Sequence, residues 1–191
     1  MKVRIIASLV MALLFAVGTA NASSIGIYFA ADGSDCDATA AAYTPLNWWV
    51  LAHIYGGDLE GGGMTGAEFR VSGVPGAWFH TITPNPAAAT VLGALFTGTN
   101  VAFAACQNGP WVLLYTVSTF PTSAPTGEMI WQVLAHGVPS NPTFNCPVLV
   151  ACDAPYYTMH CVPGGEAFLN GRPCTVGVDA KTWTEVKSLF N

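Results

Sequence analysis

The groups in this 191-residue sequence that could make or hold bonds are six cysteines, four histidines and a scatter of carboxylates. The cysteines are Cys36, Cys106, Cys146, Cys152, Cys161 and Cys174. Their number is even and all lie well beyond an apolar leader, which points to disulfides formed after export. A zinc site is disfavoured, because no C-x-x-C spacing occurs. One pair has a local argument. Cys152 and Cys161 flank a turn-like stretch around Pro155, Tyr156 and Tyr157, and a hairpin centred near Tyr156 would set them opposite each other. Cys36–Cys106 and Cys146–Cys174 would then remain.

Catalytic spacing is absent. There is no G-x-S-x-G elbow, no H-E-x-x-H and no phosphate-binding loop. His53, His80, His136 and His160 fall on four different apolar segments, as polar positions on a sheet face would. Glu68, Glu128 and Glu166 lie on or beside strand-like runs. A secreted glycoside hydrolase would need two such carboxylates across one cleft, so a hydrolase is a third-ranked reading. Asp32, Asp35 and Asp37 form the one acidic cluster. Their alternating oxygens suit calcium, although EF-hand spacing is not met, and an acidic turn beside a cysteine is the commoner arrangement. Calcium is the sole cofactor the residues suggest.

Aromatic rings offer a second kind of chemistry. Trp48 and Trp49 must point to opposite faces of any strand that carries them. Tyr156 and Tyr157 would sit at a hairpin tip. Such rings fill β cores or, if outward, stack on sugars. Trp48, Trp49, Tyr156 and Tyr157 are therefore the candidate ligand-binding residues.

The elements that must position these groups read as strands. Met1 to Arg4 is a short basic start, residues 5–17 are apolar, and Ala20 and Ala22 give a small-residue cleavage pattern. The expectation is a signal peptide at 1–22 and one domain at 23–191, secreted, periplasmic or on the cell surface, with no membrane span after cleavage. Lys2 and Arg4 leave with that leader, so four basic residues face eleven acidic ones. Such a balance excludes nucleic acid and anionic membrane as partners. Short β-branched and aromatic runs then alternate with Gly, Pro, Asn and Asp. They lie at 24–29, 48–55, 67–71, 78–83, 100–106, 111–119, 128–136, 147–151, 158–162 and 167–169, with a further strand in the run that begins at Ala87. Trp111, Leu113, Tyr115 and Val117 alternate on one face of their run. Residues 56–66 are glycine-rich and read as a flexible connection. Trp183, Val186, Leu189 and Phe190 make an apolar stripe, predicting a helix over about 180–190. The fold class is all-β: an Ig-like or jelly-roll β-sandwich of about ten strands with a short C-terminal helix.

From 46 to 79 the chain resembles the cohesin-like branch of bacterial Ig-like sandwiches. A strand through Val50, Leu51, Ala52, His53 and Ile54 precedes the glycine-rich loop. Gly66-Ala67-Glu68-Phe69-Arg70-Val71 follows, then a turn and Trp78-Phe79. The later segments Asn100 to Phe103 and Val112 to Tyr115 fit the same order. The chain also resembles small uncharacterised exported bacterial proteins. Ser72-Gly73 stands where cohesins often carry an acidic residue, which sets a dockerin-type partner aside, and the resemblance implies a fold rather than a set of site residues. The function expected is a non-catalytic secreted sandwich that binds a protein or serves as a surface component. The alternative is a carbohydrate-binding module using exposed aromatics, so the expected partner is a protein or a glycan at the cell surface.

Overall fold

The computed structural model describes residues 22–171 and 173. The expected leader up to residue 21, Cys174 and the helix expected over 180–190 lie outside them.

Twelve strands follow one another: β1 (Ser24–Tyr28), β2 (Asp37–Ala38), β3 (Leu46–His53), β4 (Gly63–Ser72), β5 (Phe79–Pro84), β6 (Ala88–Ala94), β7 (Gly98–Asn108), β8 (Trp111–Phe120), β9 (Met129–Leu134), β10 (Val148–Ala151), β11 (Met159–Cys161) and β12 (Glu166–Leu169). The expected runs are all present, and the two-residue β2 is an addition. Four strands form a sheet in the order β1-β3-β8-β5. The other eight form a second sheet along β11-β10-β4-β9-β12-β2, with the β6–β7 hairpin joined to β4 through β7. No helix among the described residues is long and apolar enough to cross a membrane.

Alternation explains the packing, since successive side chains of a strand point to opposite faces. Ile25, Ile27, Trp48, Val50, Ala52, Leu114 and Val117 of the four-stranded sheet face Phe69, Val71, Val101, Trp131, Val133, Leu149 and Leu169 of the larger one. Ring contacts link the layers: Trp48 to Trp131 at 5.2 Å between centroids, and Phe69 to Tyr115 at 6.2 Å. Trp78 also reaches Trp131, at 6.5 Å. Each fully buried large side chain of this kind contributes about 1.5–3 kcal/mol.

The predicted alternation of β8 holds only in its second half. Val50 pairs with Tyr115, but Leu51 pairs with Leu113, so Leu114 is an extra residue. This β-bulge turns both Leu114 and Tyr115 inward and sends Trp111 and Leu113 to the outer face. Asn85 caps the distortion, its backbone N–H on the Leu114 carbonyl at 2.9 Å and its Nδ2 on the Leu113 carbonyl at 2.7 Å.

The glycine-rich stretch is more than a connection. Its last residues, Gly63 to Gly66, open β4. The bridge Cys106–Cys152 passes close over Gly63, where a Cβ would stand 2.8 Å from Cys106 Sγ. Gly61 has φ +77, and a Cβ there would stand 2.7 Å from the Cys152 carbonyl oxygen.

The three expected disulfide pairings are corrected. Cys106 bonds Cys152, and Cys146 bonds Cys161. Cys36 is also disulfide-bonded. The expected hairpin exists as β10–β11, but its register sets Val148 opposite Cys161. That centres it between Ala154 and Pro155, two residues before Tyr156. Cys161 is thereby aligned near Cys146, while Cys152 runs past the end of the ladder toward β7.

Candidate binding face

The outer face of the four-stranded sheet is built in rows across the strands. Ser24, His53 and Trp111 make the first row, and Gly26, Leu51 and Leu113 the second. Tyr28, Trp49, Thr116 and Thr83 make the third, followed by Asn47, Ser118 and Thr81, and then by Phe120 and Phe79. None of the four strands contains an Asp, Glu, Lys or Arg.

One end of this face is closed by its own rings. The Tyr28 ring folds back over Gly26, where any Cβ would collide with it. It meets Trp111 edge-on at 5.2 Å and 78°. His53 packs against the same indole at 4.4 Å. Gly33, in the loop after β1, lies against Trp111 so closely that a Cβ would stand 2.9 Å from its ring. Burial raises the Tyr28 hydroxyl pKa above its ordinary value, as expected for a phenol moved out of water.

The other end is open. Phe79 is 70% exposed, beside the exposed Phe120, whose ring lies 6.4 Å from that of the exposed Tyr43. Thr81, Thr83, Thr116 and Ser118 fill the space between these rings and Trp49. An uncharged area of aromatics and small hydroxyls has the composition of an interface core, where charged residues are depleted.

The predicted site residues fall as follows. Trp48 is fully buried, its Nε1–H donating to Thr119 Oγ1 at 2.8 Å, so it takes no part in a surface. Trp49 points outward on the open face and is half-buried. Tyr156 is 82% exposed and Tyr157 is also exposed, both in the β10–β11 turn and far in sequence from Trp49. Asp32 and Asp35 shape local turns, and Asp37 lies in β2. Asp32 Oδ1 accepts from the Ser34 hydroxyl and from its N–H, which holds the Asp32 carboxyl below the usual range. Asp35 Oδ1 accepts from the Asp37 N–H at 3.2 Å. Among the described residues no group of three or more His, Cys, Asp or Glu is placed to hold a metal ion.

The histidines stay apart in their contacts. His53 packs on Trp111, His80 bonds Thr119 and Pro75, and His136 accepts from the Val138 N–H. His160 Nε2 lies 2.5 Å from Glu60 Oε2. Glu166 accepts from Gln132 Nε2. Glu166 is level with Gln132 and Ser72, whereas Glu68 lies four residues back along β4. Strand geometry separates the two by on the order of 15 Å, beyond the reach of a glycosidase pair. The signal that sequence reasoning passed over was present in it: four strand segments that together form one sheet, all without a charged residue.

The outline of this sandwich matches solved structures. A cohesin module of a family 33 glycoside hydrolase from Clostridium perfringens superposes with a TM-score of 0.53 at 12% identity, over 79% of this chain and 98% of that one. The fold is cohesin-like. A cohesin in a cohesin–dockerin complex from Clostridium thermocellum gives a TM-score of 0.49 at 8% identity, over 80% and 100% of the two chains. A type I cohesin from Pseudobacteroides cellulosolvens gives 0.48 at 7% identity, over 83% and 96%. No family model matches the chain, and no curated protein matches it by sequence. The cohesin-like likeness thus lives in the arrangement of strands, as the order of segments between residues 46 and 79 implies.

Proposed function

We propose that this chain is an exported, non-catalytic module that binds a partner protein through the open end of its four-stranded sheet. The observation that carries the reading is the absence of any charged residue from that sheet, together with exposed Phe79, Phe120 and Tyr43 at its open end. Exposed apolar area of this kind marks an interaction site. Disulfides support export, since they persist in oxidising compartments. A sugar platform is less well served. The large rings of the face, Tyr28 and Trp111, cross at 78° and cover each other instead of lying flat and open.

The test is binding of the oxidised 23–191 fragment to the envelope fraction of the producing cell. Thr116→Lys, which puts a charge in the middle of the face, is compared with Val138→Lys in an exposed loop. Loss of one partner with the first variant and its retention with the second support the reading. Equal capture by both variants, or binding to an arrayed glycan that Trp49→Ala abolishes, overturns it.

A further inference from the structure

The outer face of the larger sheet carries a groove of about 450 Å³. Its floor is set by two cross-strand rows. Thr90, Ala102, Gly66, Val150 and Met159 make one, and Leu92, Asn100, Glu68, Val148 and Cys161 make the other. The depth comes from missing side chains: Gly66, Ala102 and Ala104 lie where larger residues would fill the space. Leu92, Met159 and Tyr157 form apolar walls, and Leu92 is 61% exposed. The volume and the mostly apolar lining with few polar groups are those of a small-molecule site.

One of those polar groups is unusual. Glu68 is 3% exposed, and it lines the groove together with Ser140. Its carboxylate accepts from the Ser140 N–H at 3.0 and 3.1 Å and from the Ser140 hydroxyl. It has no cationic partner among the described residues. Between residues 22 and 171 the sequence holds nine acidic residues and a single Lys or Arg. That one, Arg70, donates its Nε–H to the Ala135 carbonyl at 3.1 Å. A carboxylate withdrawn from water and bonded to neutral donors alone gains most from a cation.

We propose that this groove binds a small apolar amine, its ammonium donating to Glu68 and its hydrocarbon part lying on Gly66, Ala102 and Val150. This site is on the other sheet from the protein-binding face and stands or falls independently of it.

The experiment is calorimetric titration of the full oxidised protein with hexylammonium, 1-hexanol and hexanoate. Hexylammonium binds, and 1-hexanol binds roughly ten- to hundredfold more weakly, the range expected for one charge-assisted hydrogen bond. Glu68→Gln, which keeps the shape and an acceptor for Ser140, lowers hexylammonium affinity by the same factor. Ala102→Leu fills the groove and abolishes binding with Glu68 intact, so the site remains testable if Glu68→Gln does not fold. Hexanol or hexanoate binding as tightly as the amine overturns the proposal. So does unchanged hexylammonium affinity in Ala102→Leu, or the lack of saturable binding in the unaltered protein.

Discussion

The Trp48 indole N–H ends on Thr119 Oγ1, 2.8 Å away, in the sealed layer between the sheets. Thr119 is fully buried, and its hydroxyl accepts that bond. Thr119→Val keeps the shape and removes the acceptor. The expected loss is about 1–3 kcal/mol, the cost of a buried donor left unsatisfied. Urea unfolding at equilibrium measures it, and an unchanged midpoint contradicts it.

The same oxygen stands next in a chain whose direction a carbonyl fixes. His80 Nε2 lies 3.1 Å from the Pro75 carbonyl, which can only accept, so the neutral ring carries its proton on Nε2. Nδ1, 3.0 Å from Thr119 Oγ1, is then the acceptor of the threonine proton. A directional chain runs from Trp48 through Thr119 and His80 to Pro75. Nitrogen-15 NMR of the neutral ring is expected to show protonated Nε2 and bare Nδ1; the opposite tautomer breaks the chain.

Peptide mapping under non-reducing conditions is expected to recover Cys106–Cys152 and Cys146–Cys161, which leaves Cys36 and Cys174 of the six. The two mapped bridges close loops with sequence separations of 46 and 15 residues. Loop-closure entropy assigns them about 4 and 3 kcal/mol. Replacing Cys106 and Cys152 with serine is therefore expected to be the more damaging of the two double changes, as read by thermal unfolding.

Asp153 organises the β10–β11 turn. Its carboxylate accepts from the Thr158 hydroxyl and, at 2.7 Å, from the Thr158 N–H, and the hydroxyl bond holds its pKa below the ordinary value. A depressed folded-state value means that this support is present above the unfolded-state pKa and is lost as pH falls through the folded one. The protection of the Thr158 amide against exchange, taken relative to its intrinsic rate at each pH, is expected to fall in that acid range. Thr158→Val is expected to move the Asp153 titration up toward its usual position, as followed by carboxyl carbon-13 NMR.

Much of this architecture can be read from local pattern. The runs around Ile25, Val50, Phe69 and Trp131 each become a strand, as expected. Trp48 and Trp49 part to opposite sides because a strand allows nothing else. The departures share a different cause: they depend on residues remote in sequence. Cys152 finds Cys106 because β4 and its small Gly63 bring β7 and the end of β10 together. Glu68 becomes buried because Ser140, 72 residues away, folds over it. Neither partner leaves a trace beside the residue it meets. The charge-free sheet is likewise assembled from four separated segments, each unremarkable alone.

The extra residue at Leu114 has an evolutionary meaning. β8 is one residue longer than β3 at that point, which places Leu114 and Tyr115 on the same side. Loss of Leu114 alone would leave Leu113 outward and Tyr115, Val117 and Thr119 inward, because Val50 and Leu51 already pair with Tyr115 and Leu113 across it. The bulge is thus the one place in β8 where a residue can be lost without turning the rest of the strand over, and descendants of this sequence are expected to vary in length there sooner than elsewhere in the strand.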